Sequence, residues 1–476
     1  MKPTNHSSQK VNRRSFIKAT GAATVFTIVP RFVLGGTGYV APSDTVYIAG
    51  IGAGGKGESD LTSCAQSKHA KISLLCDVDD RMAVNSRKNF PDASYHKDFR
   101  EMLDKEHKNI DAVIVSTPDH THAAAAMASM QLGKHVYVQK PLTHSIGEAR
   151  ALTMAAKKYK VVTQMGNQGA SEEPVRRMKE IVDAGLIGDV SRVYAWTNRP
   201  VWPQGVPAPK GNHEIPGELD WDLWLGPAQA IDYNPAYLPF NWRGWWRFGT
   251  GALGDMGCHV MDPVFRILPI DYPTDVECSA TAAYEGFFQI ARYTESCPSS
   301  SIIHLTFPRT DGKGDVKLTW MDGGLRPQMP EELSPEDDIG DMSNGVIFEG
   351  SKGKMIGNYS KQPLLLPNTL MPDIEKVPKT EKRVPEGHYV AWVEACMKGY
   401  GESDLSSKFE YAGPFTEAVL MGNLAIRSYQ YETSESGNSS YPGRKKLLWD
   451  AKNMLITNFD PANKFVMRSY REGWSL

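Results

Sequence analysis

Two stretches of this 476-residue chain carry side chains able to move a proton and steady a negative oxygen. One is Gln139-Lys140-Pro141. The other is Gly251-Ala252-Leu253-Gly254-Asp255-Met256-Gly257-Cys258-His259-Val260-Met261-Asp262. If residues 255–267 are helical, Asp255 and His259 stand four apart on one face, with Asp262 one turn further. A histidine titrates near neutrality and suits a general base. A lysine ammonium suits a developing alkoxide, or can share the proton. The set fits oxidation of an alcohol. Plainer readings stand beside it: Lys140 as a surface lysine after a strand, His259 as a core histidine, Asp255 as a helix cap. Asp255 and His259 could also hold a metal with His213 or Glu214, but two ligands four apart do not specify a site, and none is predicted.

Oxidation needs a hydride acceptor, and the chain offers a place for one. The apolar run Thr45–Ala49 leads into Gly50-Ile51-Gly52-Ala53-Gly54-Gly55. This G-x-G-x-x-G pattern at a strand-to-helix turn allows a tight turn at Gly50, close approach of a pyrophosphate at Gly52, and helix–strand packing at Gly55. The helix start beyond it offers free N–H groups to phosphates. Asp77 ends the next apolar run, 22 residues past Gly55, near the spacing of about 20 expected for a ribose-binding acid. A carboxylate there accepts from both ribose hydroxyls and repels a 2′-phosphate, favouring NAD over NADP. The alternatives are a glycine turn without ligand and an exposed turn acid.

These groups must be carried by regular elements. Apolar, β-branched runs at 45–49, 72–76, 112–116, 135–138 and 161–163 alternate with helix-like stretches, clearest at 122–132 and 146–158. That alternation predicts an α/β fold with a doubly wound parallel sheet over 43–170. Beyond it, strands at 190–196, 301–307, 316–320 and 346–348, with a hairpin over 346–355, predict an α+β domain, 171–476, with a large, mostly antiparallel open sheet. A helix over 415–429 is placed to pack back on the first domain. Between Arg199 and Arg247 runs a long irregular stretch holding Trp202, Trp221, Trp224, Trp242, Trp245 and Trp246, with Arg243 and Arg247 interleaved. Indoles stack on the C–H faces of sugars and Arg donors read hydroxyls. Equally, a loop can be stapled by its own aromatics.

Composition excludes several classes. The net charge is −2. Residues 1–36 hold six Lys or Arg and no acid, leaving 47 basic against 55 acidic residues in the body. An acidic body argues against nucleic acid. Asn12-Arg13-Arg14-Ser15-Phe16-Ile17-Lys18 precedes a short apolar run, Ala19–Val29. This resembles a twin-arginine signal, so residues 1–36 are expected to be a leader and the body to be exported, already folded, to the periplasm. No later run is long and apolar enough to span a membrane. The six cysteines are scattered without paired spacing, so they specify neither a zinc site nor a disulfide framework.

Taken together, the glycine loop, Ser116-Thr117-Pro118-Asp119-His120-Thr121-His122, Lys140-Pro141 and the Asp255…His259…Asp262 run resemble the glucose–fructose oxidoreductase, inositol dehydrogenase and MocA family, from Thr45 to beyond Asn423. The resemblance implies a Rossmann domain followed by an open-sheet substrate domain often used for homo-oligomerisation, as a dimer or tetramer. It implies that Lys140, Asp255 and His259 take the catalytic positions. Thr117, Pro118 and His122 would line the nicotinamide, with Gln168 near the cofactor. Trp242, Arg243, Trp245 and Asp262 are the candidate contacts to a carbohydrate. The family commonly has Glu before the Lys-Pro pair, whereas this chain has Gln139, which carries no negative charge. The expected function is oxidation of a sugar or glycoside hydroxyl with a tightly held NAD. An alternative is a glycosidase or lyase that oxidises its sugar transiently with no net redox change, although the Tyr-Pro-Thr-His run of one such glycosidase group is absent. A sugar-binding protein without catalysis is the third reading.

Overall fold

Short aliphatic runs that are buried on both faces form the first sheet. A computed structural model of the chain describes residues 44–476 apart from 338, 340–342 and 436–437, so the leader expected over 1–36 lies outside the described residues. Six strands, β1 (Val46–Ile51), β2 (Ala70–Cys76), β3 (Ser94–His96), β4 (Ala112–Val115), β5 (His135–Val138) and β6 (Thr163–Met165), pair in the order 3-2-1-4-5-6. All five pairings are parallel. Every residue of β4 is buried, as a strand covered on both faces requires. The order reverses between β1 and β4, which opens a crevice at their carboxyl ends.

Two sequence expectations shift. The strand expected at 161–163 lies at Thr163–Met165, because Lys160 turns left-handed to end the preceding helix. The three-residue β3 carries too little pattern to be read from sequence. The helix Ile146–Tyr159 opens on a capping box, with Ser145 N–H donating to Glu148 at 2.9 Å, which satisfies orphan amides at its start.

The second sheet has nine strands. Its order is Leu364–Leu366, Lys354–Gly357, Asn344–Gly350, Val190–Thr197, Asp315–Met321, Ser301–Pro308, Asp275–Ala280, Leu447–Asp450 and Leu455–Ile456. One pairing, Val190–Thr197 with Asp315–Met321, is parallel; the others are antiparallel. Ser301–Pro308 alternates buried and accessible residues, the pattern of a sheet with one face on a core. The helix Phe409–Tyr429 covers that face and also packs along Ile146–Tyr159. It begins six residues before the expected start, and Pro414 lies inside it. Burial of Phe409 and Phe415 on either side offsets the amide that proline lacks.

The single helix expected over 255–267 is two. Gly251–Val260 and Asp262–Ile267 meet at Met261, and Pro263 opens the second. Asp255 and His259 remain one turn apart on the first helix. Asp262 lies on the second.

Candidate functional site

A cleft of about 900 Å³ runs along the carboxyl ends of β1, β2, β4 and β5. Its floor is the glycine loop. Gly52 has φ +79°, and a Cβ there would meet the Ser116 carbonyl at 2.7 Å, so only glycine fits. Gly50 lies beneath, packed on Leu61, outside the cleft lining. Gly54, Gly55 and Lys56 face the cleft, and no side chain caps the helix Lys56–Cys64 that starts there. An uncapped helix start behind a glycine turn fits a pyrophosphate. Asp77 also lines the cleft. It accepts from Gly54 N–H at 2.8 Å and Asp79 N–H at 3.0 Å. Burial pushes its carboxyl up to about 6, against the lowering effect of these bonds.

At the other end, three sequence-separated segments converge. Lys140, just past β5, donates to Asp255 Oδ1 at 2.5 Å and to the Asp255 carbonyl at 3.0 Å. Arg243 Nε lies 3.3 Å from the same carboxylate oxygen. Burial disfavours the Asp255 carboxylate, but Lys140 and Arg243 outweigh it and hold the group down at about 2. His259, one turn on, also lines the cleft. Burial, reinforced by Lys140, holds it down at about 3, so it is neutral at physiological pH. Its Nδ1 is buried without a protein partner, and its ring lies 5.3 Å from that of Tyr359. The structure therefore presents an ammonium, a carboxylate and a neutral imidazole on one wall. Among the described residues no group of three metal-ligating side chains forms.

The remaining expected residues divide. Thr117, Pro118, Gln168, Trp242 and Arg243 line the cleft. Gln168 Nε2 donates to Tyr389 Oη at 2.8 Å. His122 does not reach the cleft. It is buried behind it, with its ring nitrogens 2.8 Å from the carbonyls of Thr117 and Pro141, where it ties the β4 loop to the Lys140–Pro141 turn. Trp245 packs on Tyr237 in an aromatic cluster, with ring centroids 5.5 Å apart. Asp262 is buried against Asn167, Arg266 and Tyr411. Neither lines the cleft: Asp262 is held by Asn167, Arg266 and Tyr411, and local stacking claims Trp245. Of the six tryptophans in the long loop, Trp224 and Trp242 line the cleft. Trp221 stacks on Trp224 at 4.8 Å, so packing occupies most of the set. This loop is stitched to the end of β2 by Asp220 N–H to Val78 O and Asp80 N–H to Glu218 O, and it roofs the cleft.

Other residues at the site carry little or no local signal in the sequence. Asp60 is fully buried and accepts from Lys56, Ser116, Gln139 and Tyr389. Lys56 and Asp60 are four apart directly after the glycine loop, a spacing that could have flagged them. Tyr389 and Trp474 come from segments far along the chain and have no such cue.

Two family models together match about half of the chain. One, described as "Oxidoreductase family, NAD-binding Rossmann fold", matches residues 46–167, and its companion, "Oxidoreductase family, C-terminal alpha/beta domain", matches 171–293. A "Glycosyl hydrolase family 109 protein" of Shewanella sp. (strain W3-18-1) is 26% identical over 290 residues, covering 55% of this chain and 56% of that protein. The chain thus spans about half the length of the curated relatives it matches. The WlbA dehydrogenase of Bordetella pertussis, solved with NADH and UDP-GlcNAcA, aligns with a TM-score of 0.53 at 15% identity, over 79% of this chain and 95% of that one. The aldose-aldose oxidoreductase of Caulobacter crescentus, solved with glycerol, aligns with a TM-score of 0.53 at 14% identity, over 83% and 99%. At these identities the two structures establish a shared fold.

Proposed function

The chain belongs to the GFO/IDH/MocA oxidoreductase family, and we propose that within it the protein is an NAD-dependent oxidoreductase acting on a carbohydrate hydroxyl. The observation that carries this reading is the convergence of Lys140, Asp255 and neutral His259 on the wall of a cleft floored by the glycine loop. Bound nicotinamide dinucleotide supplies the hydride acceptor. The uncapped helix start at Lys56 would hold its pyrophosphate and Asp77 its ribose. Ionised Asp77 disfavours a 2′-phosphate, which selects NAD. His259, held neutral, accepts the hydroxyl proton at a ring nitrogen. Lys140, held in place by Asp255, stabilises the oxygen as that proton leaves. Trp242 and Arg243 orient the sugar from the roof.

The Shewanella relatives named as family 109 glycosyl hydrolases favour a second reading. In it the sugar is oxidised, loses its aglycone by elimination, takes up water in its place and is reduced again, with no net NADH. Both readings require hydride transfer. The test is mass spectrometry of the nucleotide released from purified protein, followed by a panel of sugars and aryl glycosides scored for NADH and for freed aglycone. Aglycone without NADH selects the second reading. If Lys140→Ala and His259→Ala both transfer hydride as fast as the parent, the assignment of the wall is wrong.

The arginine pair at 13–14 supports export after folding, so the dinucleotide would be loaded in the cytoplasm and retained. Protein folded in the cytoplasm and purified without any bound dinucleotide would refute retention.

A further inference from the structure

The cleft that holds Lys140 and His259 extends past Asp77. Its walls include Val78, Phe99, Leu223 and Trp224, beside Asp77, and one wall comes from the last turn of the chain, Trp474. We propose that this extension is the adenine subsite and that Trp474 is the stacking surface within it. The inference rests on the reading that the cleft holds a dinucleotide.

Three observations carry it. First, polarity: the acid at the end of β2 marks the adenosine ribose in a sheet of this order, so the base must lie beyond Asp77, where Val78 and Phe99 line the cleft between the charged Asp79, Lys97 and Asp98. Second, the tail is held by specific bonds. Arg468 Nε pairs with the buried Glu148 at 2.8 Å, and Tyr470 Oη donates to the same carboxylate at 2.5 Å. Arg471 donates to the carbonyls of Asp222 at 2.7 Å and Gly226 at 2.5 Å. These bonds join the tail to the helix Ile146–Tyr159 and to the roof loop. Third, the indole is oriented. The Arg100 guanidinium lies 4.3 Å over its ring and is itself clamped by Asp98 at 2.6 and 3.0 Å. The Phe99 ring stands 5.9 Å away, tilted by 51°. A tryptophan fixed this way presents a preformed aromatic surface to a purine, so little rotamer freedom is lost on binding.

The experiment compares the full-length parent, Trp474→Ala and Trp474→Phe, each freed of bound nucleotide, by calorimetric titration with NAD, AMP and nicotinamide mononucleotide. Stacking of a base on an aromatic ring corresponds to roughly 10-fold in affinity. Trp474→Ala should bind NAD and AMP about 10-fold more weakly, while mononucleotide binding is unchanged and Trp474→Phe recovers most of the loss. NAD affinity unchanged in Trp474→Ala overturns the subsite. So does an equal loss for the mononucleotide, which would mean that the tail merely supports the cleft. A parent that binds neither NAD nor AMP refutes the dinucleotide reading itself, and the subsite with it.

Discussion

Gln139 donates its Nε2–H to Asp60 Oδ2 at 2.8 Å. The two residues are 79 positions apart, and the bond places a fully buried carboxylate beside the residue that precedes Lys140. The family resemblance implies Glu at that position. Here the negative charge sits instead on the helix behind the glycine loop, where Lys56, Ser116 and Tyr389 also donate to it. Gln139→Glu would set two carboxylates against each other in a dry site. We expect it to cost about 3 kcal/mol or more in urea unfolding. Asp60→Asn alone should also destabilise, since it removes the buried carboxylate that accepts from Lys56, Ser116, Gln139 and Tyr389. The double variant moves the charge back to position 139 and should recover most of both losses. A double variant as unstable as the sum of the singles would show that the charge cannot be relocated.

The Lys140–Asp255 pair gives a second test. Both side chains are nearly buried, so removing one partner leaves an uncompensated charge. Asp255→Asn should lose about 3–5 kcal/mol of stability, and turnover should fall by about 100-fold or more as Lys140 loses its position. Stopped-flow hydride transfer and thermal melting measure the two effects separately. Turnover within threefold of the parent would remove Asp255 from the site.

How much of this was legible in the sequence depends on how local the signal was. The parallel sheet was readable because each strand is a continuous apolar run, and the glycine loop because its spacing is set by a single turn. Asp255 and His259 were readable as an i, i+4 pair. Asp262 was misplaced because periodicity carried one helix through Met261, while Pro263 starts another. His122 looked like a cofactor contact from its motif, yet it serves the turn behind. Asp60 was within reach of a short window through Lys56, four residues before it, but Tyr389 and Trp474 act through contacts more than 200 residues apart, and no window of sequence contains both partners.

Asp77 predicts a pH-dependent choice of nucleotide. Burial raises its carboxyl to about 6, so it is ionised at pH 8 and neutral at pH 5. Repulsion of a 2′-phosphate needs the ionised form. The ratio of NADP to NAD dissociation constants should therefore be large at pH 8 and shrink as pH falls through about 6. Titrations at pH 8, 7, 6 and 5 measure it. Asp77→Asn should give a small ratio at every pH, and a parent ratio that stays flat would remove Asp77 from cofactor choice.

Buried neutral histidines predict acid sensitivity. Burial holds His120 down at about 3, His259 at about 3 and His388 at about 4, whereas an unfolded histidine titrates near 6.5. Below about 6.5 the unfolded chain takes up protons that the native chain refuses, so these residues lower stability as pH falls. Asp77 and Asp322 act in the opposite sense. Their carboxyls are raised to about 6, so the native state holds those two protons in a range where the unfolded chain releases them. Their contribution is present below about 4 and is lost as pH rises through about 6. His120 offers a clean measurement, because it lies between Trp224 and Phe248, each 5.2 Å away, outside the cleft. His120→Gln removes one titrating group, so the fall in melting temperature from pH 7 to pH 5 should be smaller than in the parent, by the equivalent of about 2 kcal/mol. Identical pH profiles for the two proteins would mean that His120 is charged in the fold, and its burial between two aromatic rings would then need a different explanation.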